Sequence, residues 1–116
     1  MARRYKRKNE FRMDLNKKHY GDKKKPHPAY ITAEYGNLYK ANNITHSEYL
    51  KNGRKTKKLY ENPNKRNNQE NYKRYSRISP PYWQDKSKFS QTKLKKYRFS
   101  RKTRKQIKKY NKNFMQ

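Results

Sequence analysis

One short segment of the sequence combines side chains that act as nucleophiles, bases and acids in enzymes. It runs Ile44-Thr45-His46-Ser47. The imidazole of His46 is a candidate general acid or base, and hydroxyls flank it on both sides. Because neighbouring side chains of a strand point to opposite faces, Thr45 and His46 would not meet directly in a strand. A hydrogen-bonding cluster at a strand end is the alternative interpretation, and the sequence favours it.

A second group of residues is suited to binding phosphate. Lys and Arg number 35 against 8 Asp and Glu, which gives a formal net charge of +27 on 116 residues. Solubility needs a net charge of only about 2–8 in a small domain, so this excess predicts a polyanionic partner, RNA first and DNA second. The candidate phosphate-binding residues are Arg3, Arg4, Arg7, Arg12, Lys73, Arg74, Arg77, Lys95, Lys96, Arg98, Arg101, Lys102, Arg104, Lys105, Lys108 and Lys109.

Aromatic residues are interleaved with these cations. The chain has 12 Tyr and one Trp, and flat rings beside cations stack on unpaired bases. The candidates for stacking are Tyr72, Tyr75 and Trp83. Because aliphatic residues are few, other rings must build much of the core instead. The rings expected in the core are Tyr30, Tyr39, Tyr60 and Phe89.

Several classes of function are disfavoured by composition. The chain has no cysteine, its three histidines lack metal-ligand spacing, and its eight acidic residues are scattered. Its three glycines are isolated, so we expect no phosphate loop. These features together lead us to expect no metal, no cofactor and no small-molecule substrate. No apolar stretch is long enough for a membrane helix, and none follows the basic start as in a secretory signal. We therefore expect no membrane partner and a cytoplasmic location.

The charge divides the chain into three parts. Residues 1–25 hold 11 basic and 3 acidic residues, residues 26–85 hold 11 and 5, and residues 86–116 hold 13 and none. This distribution predicts a basic N-terminal arm, a small β core and a basic C-terminal segment.

Turn signals divide the predicted core into short strands. Gly36-Asn37 suits a tight hairpin, Asn52-Gly53 suits a second turn, and Pro80-Pro81 ends the last strand. The predicted strands cover residues 29–35, 38–46, 57–60 and 71–78. Short strands between turns favour an α+β fold with a small, strongly bent antiparallel sheet or an SH3-like barrel.

The C-terminal segment predicts one helix over about residues 101–113. Ser100 is a suitable N-cap, and Thr103, Ile107, Tyr110 and Phe114 recur at helical spacing on one face. The other faces are nearly all basic or amide side chains. Because like charges four residues apart repel, this helix must dock on the sheet or on phosphates.

The order of several short motifs resembles that of small basic proteins from mobile elements of low-GC Gram-positive bacteria. The resemblance covers about residues 25 to 110. The motifs are His27-Pro28-Ala29-Tyr30-Ile31, Tyr35-Gly36-Asn37-Leu38-Tyr39-Lys40, Ile44-Thr45-His46-Ser47, Asn62-Pro63-Asn64, Asn71-Tyr72 and Tyr97-Arg98-Phe99-Ser100.

Some of these proteins are similar to the MazF/PemK toxins, SH3-like barrels that cleave RNA without a metal. The resemblance implies such a barrel. In that family an Arg and a Ser or Thr near strand ends carry the cleavage, which makes Thr45, Ser47 and Arg54, with His46, the catalytic candidates here. The Gly-rich N-terminal segment of the toxins is absent, so the resemblance supports the barrel more than the enzyme.

The leading prediction is a non-catalytic, RNA-binding protein of a phage or plasmid. Its basic arms would clamp a phosphate backbone, as an accessory or inhibitor docking on a ribonucleoprotein, for instance on the guide RNA of a CRISPR effector. Three alternatives stay open: a ribosomal protein of an AT-rich genome or organelle matrix, a MazF-like metal-independent endoribonuclease, and a DNA-binding accessory of plasmid transfer.

Overall fold

The structure, a computed structural model, describes residues 5–20, 26–64 and 74–114. The strands are β1 (Lys6–Asp14), β2 (His27–Tyr35), β3 (Leu38–Thr45), β4 (Lys57–Leu59), β5 (Ser76–Ile78) and β6 (Tyr82–Asp85). The helices are α1 (Lys17–Tyr20), a short 3-10 helix (Lys86–Lys88) and α2 (Arg101–Lys112).

The hairpin of β2 and β3 forms the centre of the sheet. Its turn needs Gly36, whose φ of 56° lies in the left-handed region that other residues rarely adopt. Tyr35 and Leu38 are the last pair before the turn. The predicted hairpin is therefore confirmed.

Within the described residues, six strands form one antiparallel sheet in the order β1-β2-β3-β5-β4, with β6 also paired to β3. The first half of β3 pairs with β6, and its last residues, Ile44 and Thr45, pair with β5. Register shifts interrupt both β1-β2 and β2-β3, and such irregularities bend strands. The predicted α+β class with an antiparallel sheet is confirmed, while closure into an SH3-like barrel stays a prediction.

The N-terminal segment enters the sheet. Lys6–Asp14 pairs with β2 as an edge strand, where the sequence predicted an arm outside the core. Phe11 is 3% exposed and Asp14 is fully buried, so this strand supplies part of the interior. The alternation of buried and exposed residues in β1 is hard to see in the sequence, because charged residues occupy most of its positions.

The strands after residue 70 also differ from the prediction. Of the predicted strand over residues 71–78, the structure has Ser76–Ile78 as a strand, and residues 71–73 lie outside the described ranges. Tyr82–Asp85 forms a further strand just after the two prolines, which was not predicted.

Apolar side chains gather in two clusters. The first combines rings and aliphatic residues of the sheet, among them Phe11 and Tyr30, with Ile107 of α2. The second joins Tyr39 and Phe89 with small residues. Tyr30, Tyr39 and Phe89 were predicted for the core and are buried. The prediction for Tyr60 is wrong: its side chain is 80% exposed.

Helix α2 begins where its sequence predicted. Ser100 is the N-cap and its hydroxyl accepts a hydrogen bond from the Thr103 backbone amide at 3.3 Å. Glu61 accepts from both the amide and the hydroxyl of Ser100, which places a carboxylate at the positive end of the helix. Thr103 and Ile107 are buried as predicted.

A reciprocal pair of side-chain amides joins α2 to the centre of the sheet. Asn42 donates to Asn111 at 2.8 Å, and Asn111 donates back at 3.0 Å. Asn42 also donates to the Ser79 carbonyl at 2.9 Å. Both amides are buried, and each makes hydrogen bonds to the other that replace those lost to water.

Replacing Asn111 with alanine is expected to lower the free energy of unfolding by about 2 kcal/mol, because it leaves the buried Asn42 amide unsatisfied. Urea denaturation measures this loss. Gln106, an exposed amide on the same helix, is the matched control, and Gln106→Ala should change stability by less than about 0.5 kcal/mol. Equal effects of the two variants would contradict a specific role for the amide pair.

Candidate nucleic-acid interface

A groove runs between α2 and the first three strands, with a volume of about 460 Å³. Its cations come from both sides: β1 and β3 supply some, and successive turns of α2 supply the rest. They are Arg7, Lys8, Lys40, Arg104, Lys108 and Lys112. Tyr5 and Tyr30 add rings to the lining. Of the residues described as lining this groove, none is acidic.

Tyr30 gives the groove a neutral, fixed surface. Its side chain is 4% exposed, and its hydroxyl donates to the Asn9 side chain at 2.8 Å. Burial raises the pKa of Tyr30 to about 12, although the nearby Arg104 opposes the shift. The hydroxyl therefore stays protonated at neutral pH and adds no negative charge beside the cations.

The cations of α2 have no carboxylate partner in the part of the chain that the structure describes. In residues 5–20, 26–64 and 74–114, no carboxylate forms an ion pair with a Lys or Arg of this helix. Its residues Arg104, Lys108 and Lys112 follow one another at intervals of four and are all exposed. Since like charges at this spacing repel, a bound anion would relieve the helix of that repulsion.

Two of the described carboxylates, Glu34 and Glu10, lie beside cations of β1 and Lys86, so Lys8 of the groove is paired within the fold. Glu34 contacts Lys8 at 3.3 Å and Lys6 at 3.9 Å, and it also accepts from Lys86. The Lys86 ammonium, with help from Lys8, lowers the pKa of Glu34. Glu10 pairs with Lys8 at 3.2 Å. The positive potential is therefore greatest on the α2 side of the groove.

Three rings form an aromatic cluster, Tyr5, Tyr35 and Trp83, next to the groove. The ring centroids of Tyr5 and Trp83 are 5.3 Å apart, and those of Tyr5 and Tyr35 are 6.2 Å apart. Tyr5 and Tyr35 are each 46% exposed. Tyr5 belongs to both the cluster and the groove, and Lys40 of the groove pairs with Trp83 across the strands. Exposed rings and cations are thus adjacent.

Two arginines predicted to bind nucleic acid make their contacts inside the fold. Arg12 donates to Glu10 at 2.6 Å and to the Gln91 carbonyl at 2.8 Å. Arg77 donates to the Thr56 hydroxyl at 2.7 Å and to its carbonyl at 3.0 Å. Both guanidinium groups stabilise loops of the protein, so the structure does not bring them to the groove.

The remaining predicted residues are dispersed. Trp83 lies in the aromatic cluster, while Tyr75 is half-buried against the Lys58 ammonium, 4.9 Å from its ring centroid. The predicted cations that are exposed but lie outside the groove lining are Arg74, Lys95, Lys96, Arg98, Arg101, Lys102, Lys105 and Lys109. Arg3, Arg4, Tyr72 and Lys73 lie outside the described residues. Of the predicted set, Arg7, Arg104 and Lys108 converge on the groove.

The segment that combines hydroxyls and an imidazole forms a cluster at the end of β3. His46 Nε2 lies 2.9 Å from the Tyr75 carbonyl oxygen, and the Thr45 hydroxyl accepts from the Ser47 amide at 3.1 Å. The Arg54 guanidinium lies over the Phe114 ring, 5.7 Å from its centroid. These contacts fit the interpretation of this segment as a hydrogen-bonding cluster at a strand end.

Lys40 and Tyr35 are interface residues that sequence reasoning missed. Counting back from the Gly36-Asn37 turn would have placed them on the hairpin. Counting also pairs Lys40 correctly with Ala33, and the register shift between Ile31 and Ala33 makes the counting fail only from Ile31 onward.

Comparisons of the chain with protein-family models, with curated protein sequences and with solved structures find no match. Among the described helices, none has the length and apolar character to cross a membrane. The same parts of the chain contain no group of His, Asp and Glu side chains arranged to hold a metal ion. The groove and its neighbouring rings are therefore the features that bear on function.

Proposed function

We propose that this protein binds single-stranded RNA in the groove between α2 and the sheet, without catalysing a reaction. The observation that carries the proposal is the combination of six groove cations, no described acidic lining residue and an adjacent aromatic cluster in which Tyr5 and Tyr35 are exposed and Trp83 is half-buried. Cations release condensed counterions when they neutralise phosphates, and rings stack on unpaired bases.

The aromatic cluster favours single-stranded RNA over duplex RNA as the ligand. In a duplex the base faces are stacked on one another, whereas a single strand offers them to Tyr5 and Trp83. The backbone would follow Arg104, Lys108 and Lys112 along α2, and Arg7 and Lys40 would contact it from the sheet. Single-stranded DNA is the competing ligand, and the experiment below includes it.

The wider setting is also part of the proposal. A small protein with this charge suits an accessory or inhibitor that docks on the RNA of a ribonucleoprotein, in the cytosol of a bacterium or host and in a phage or plasmid context. No contact in the described residues favours the ribosomal, nuclease or plasmid-transfer alternatives over this one.

Titration with a single-stranded RNA 12-mer tests the proposal, with Trp83 as reporter because it is the sole tryptophan. Stacking is expected to quench its fluorescence. The five phosphate contacts named above predict a log–log dependence of affinity on salt with a slope of about −3.5. The DNA 12-mer of the same sequence and an RNA duplex serve as competitors. Unchanged fluorescence, or tighter binding of the duplex, would overturn the proposed mode.

A pair of aromatic variants separates stacking from general charge. Trp83→Ala should weaken RNA binding about tenfold, as expected for the loss of one stacked base. Tyr60→Ala is the matched control, since Tyr60 is exposed but lies outside the groove and the aromatic cluster. Anisotropy of labelled RNA measures both. If the two variants bind alike, the aromatic cluster does not contact bases.

A further inference from the structure

A second cavity, of about 360 Å³, shares no lining residue with the groove. We call it the α1 pocket, because Lys18 and His19 of α1 line it together with the 50–54 turn and residues 79–82. The neighbours Asn42 and Asn43 of β3 separate the two sites. Asn42 contacts Asn111 of α2, whereas Asn43 lines the α1 pocket, so the pocket lies on the other face of the sheet.

The lining of the α1 pocket is cationic. Lys18, Lys51 and Arg54 contribute charges, and His19 contributes an imidazole. None of its described lining residues is acidic. The volume lies near the lower end of the range of about 300–1,000 Å³ for small-molecule sites. Such a pocket suits a small anion or an anionic group of a larger ligand.

The turn that carries two of these cations is held by its own hydrogen bonds. The Gly53 amide donates to the Leu50 carbonyl at 2.9 Å, and the Leu50 amide donates to the Arg54 carbonyl at 2.8 Å. Gly53 has a φ of 86°, which the turn requires. The Arg54 guanidinium lies over the Phe114 ring. Lys51 and Arg54 are thus presented by an ordered turn.

The imidazole of His19 forms a hydrogen bond with a buried carboxylate. Its Nδ1 lies 2.5 Å from Asp14, which is fully buried, and its ring packs edge-on against Tyr82 with centroids 4.8 Å apart. Among the described residues nothing bonds to the other nitrogen, Nε2. Since Nδ1 is occupied by Asp14, Nε2 is the atom available to a ligand.

The Asp14 carboxylate offsets the charge that a protonated His19 would add, so the net positive charge of the pocket comes from Lys18, Lys51 and Arg54. The oxygens of Asp14 accept from His19, from Tyr82 at 2.7 Å, from Gln84 at 3.0 Å and from the Asn16 amide at 2.9 Å. A carboxylate satisfied in this way serves as a support for the imidazole. A ring that carries a proton on both nitrogens would donate from Nδ1 to Asp14 and from Nε2 to an anion in the pocket.

We propose that the α1 pocket binds a phosphomonoester, with Lys51, Arg54 and His19 as its ligands. A phosphomonoester carries a charge of about −1.5 to −2 at neutral pH, more than the single charge of a backbone diester, so a pocket with several cations favours it. The group would come from the phosphorylated end of a nucleic acid or from a free nucleotide. The proposal does not depend on RNA binding in the groove.

Calorimetric titration with adenosine 5′-monophosphate and with adenosine tests the proposal on the full chain. The monophosphate is expected to bind at least tenfold more tightly. The double variant Lys51→Ala/Arg54→Ala should lose at least tenfold in affinity for it. Lys95→Ala/Lys96→Ala is the matched control, since it removes two exposed cations elsewhere. Equal binding of both ligands, or equal losses in both variants, would overturn the proposal.

Two further arms identify the source of the phosphate and isolate this site from the groove. An RNA 12-mer with a 5′-phosphate should bind more tightly than its 5′-hydroxyl form if the pocket takes a chain end. If the two bind alike while the monophosphate still binds, the ligand is a free nucleotide. Arg104→Ala/Lys108→Ala/Lys112→Ala should lose RNA affinity and keep monophosphate binding, so failure of either site is seen separately. Thermal melting of each variant confirms that it is folded.

Discussion

Replacing Arg104, Lys108 and Lys112 together with alanine is expected to weaken binding of single-stranded RNA about 50-fold at about 0.15 M salt. These three cations form the α2 side of the groove, are exposed and have no carboxylate partner among the described residues. Their removal breaks no ion pair that the structure describes, so the effect is expected on the complex.

The magnitude follows from counterion release. Each phosphate contact with a single strand contributes about 0.7 to the log–log slope of affinity against salt, so three contacts contribute about 2. Carried from a reference of about 1 M down to about 0.15 M, that difference in slope corresponds to slightly less than two decades in affinity. The variant should therefore show both the weaker affinity and a slope that is less steep by about 2.

The same helix offers a control with the same change in charge. Lys102, Lys105 and Lys109 are also exposed on α2, but they do not line the groove. Their triple alanine variant should lose less than about fivefold, through the general field of the protein. Fluorescence anisotropy across a salt series measures both variants. Equal losses would show that RNA responds to net charge and not to the groove.

The elements that sequence reasoning predicted are those with local signals. Gly36 fixes the central hairpin, and Ser100 fixes the start of α2, because each residue acts within a few positions of itself. Strand β1 lacks such a signal. Its pairing with β2 and the ion pair between Lys8 and Glu34 are formed with a distant part of the chain, and the charges conceal its alternation of buried and exposed residues.

The candidate interface was predictable in kind but not in detail. Net charge indicated a polyanion, yet charge does not tell which cations converge. Arg12 and Arg104 look alike in the sequence, but Arg12 donates to the Gln91 carbonyl, which lies 79 residues away, while Arg104 faces the groove. Only the folded chain separates cations that stabilise loops from those free to meet a ligand.

Replacing Asp14 with asparagine is expected to lower the free energy of unfolding by about 3 kcal/mol, and the melting temperature by about 10 °C. Asparagine keeps the volume but puts an NH₂ group in place of one oxygen, either Oδ2, which accepts from His19 and Tyr82, or Oδ1, which accepts from the Asn16 amide and Gln84. In either orientation of the amide, one buried donor faces another. Because Asp14 is fully buried, water cannot replace the lost acceptor.

The pH dependence of stability provides a second signature of the same carboxylate. Burial alone would raise the pKa of Asp14, but hydrogen bonds from His19, Tyr82, Asn16 and Gln84 outweigh it and lower the pKa to about 2. A carboxyl group whose pKa is lowered on folding stabilises the protein at pH values above its unfolded pKa. About 2 kcal/mol should therefore be present above pH of about 4 and be lost as the pH falls through about 2.

Urea denaturation from neutral pH down to about pH 2 measures both effects on one set of samples. Asp14→Asn should be less stable at neutral pH and lose less stability than wild type as the pH falls, because Glu10, Glu34 and Asp85, whose pKa values are also lowered, still contribute. Asp85→Asn is the matched control, because Asp85 is exposed and accepts from the Ser87 amide. It should cost much less stability than Asp14→Asn. If Asp14→Asn matched this control, the buried carboxylate would not stabilise the fold, and its support of His19 in the α1 pocket would lose its physical basis.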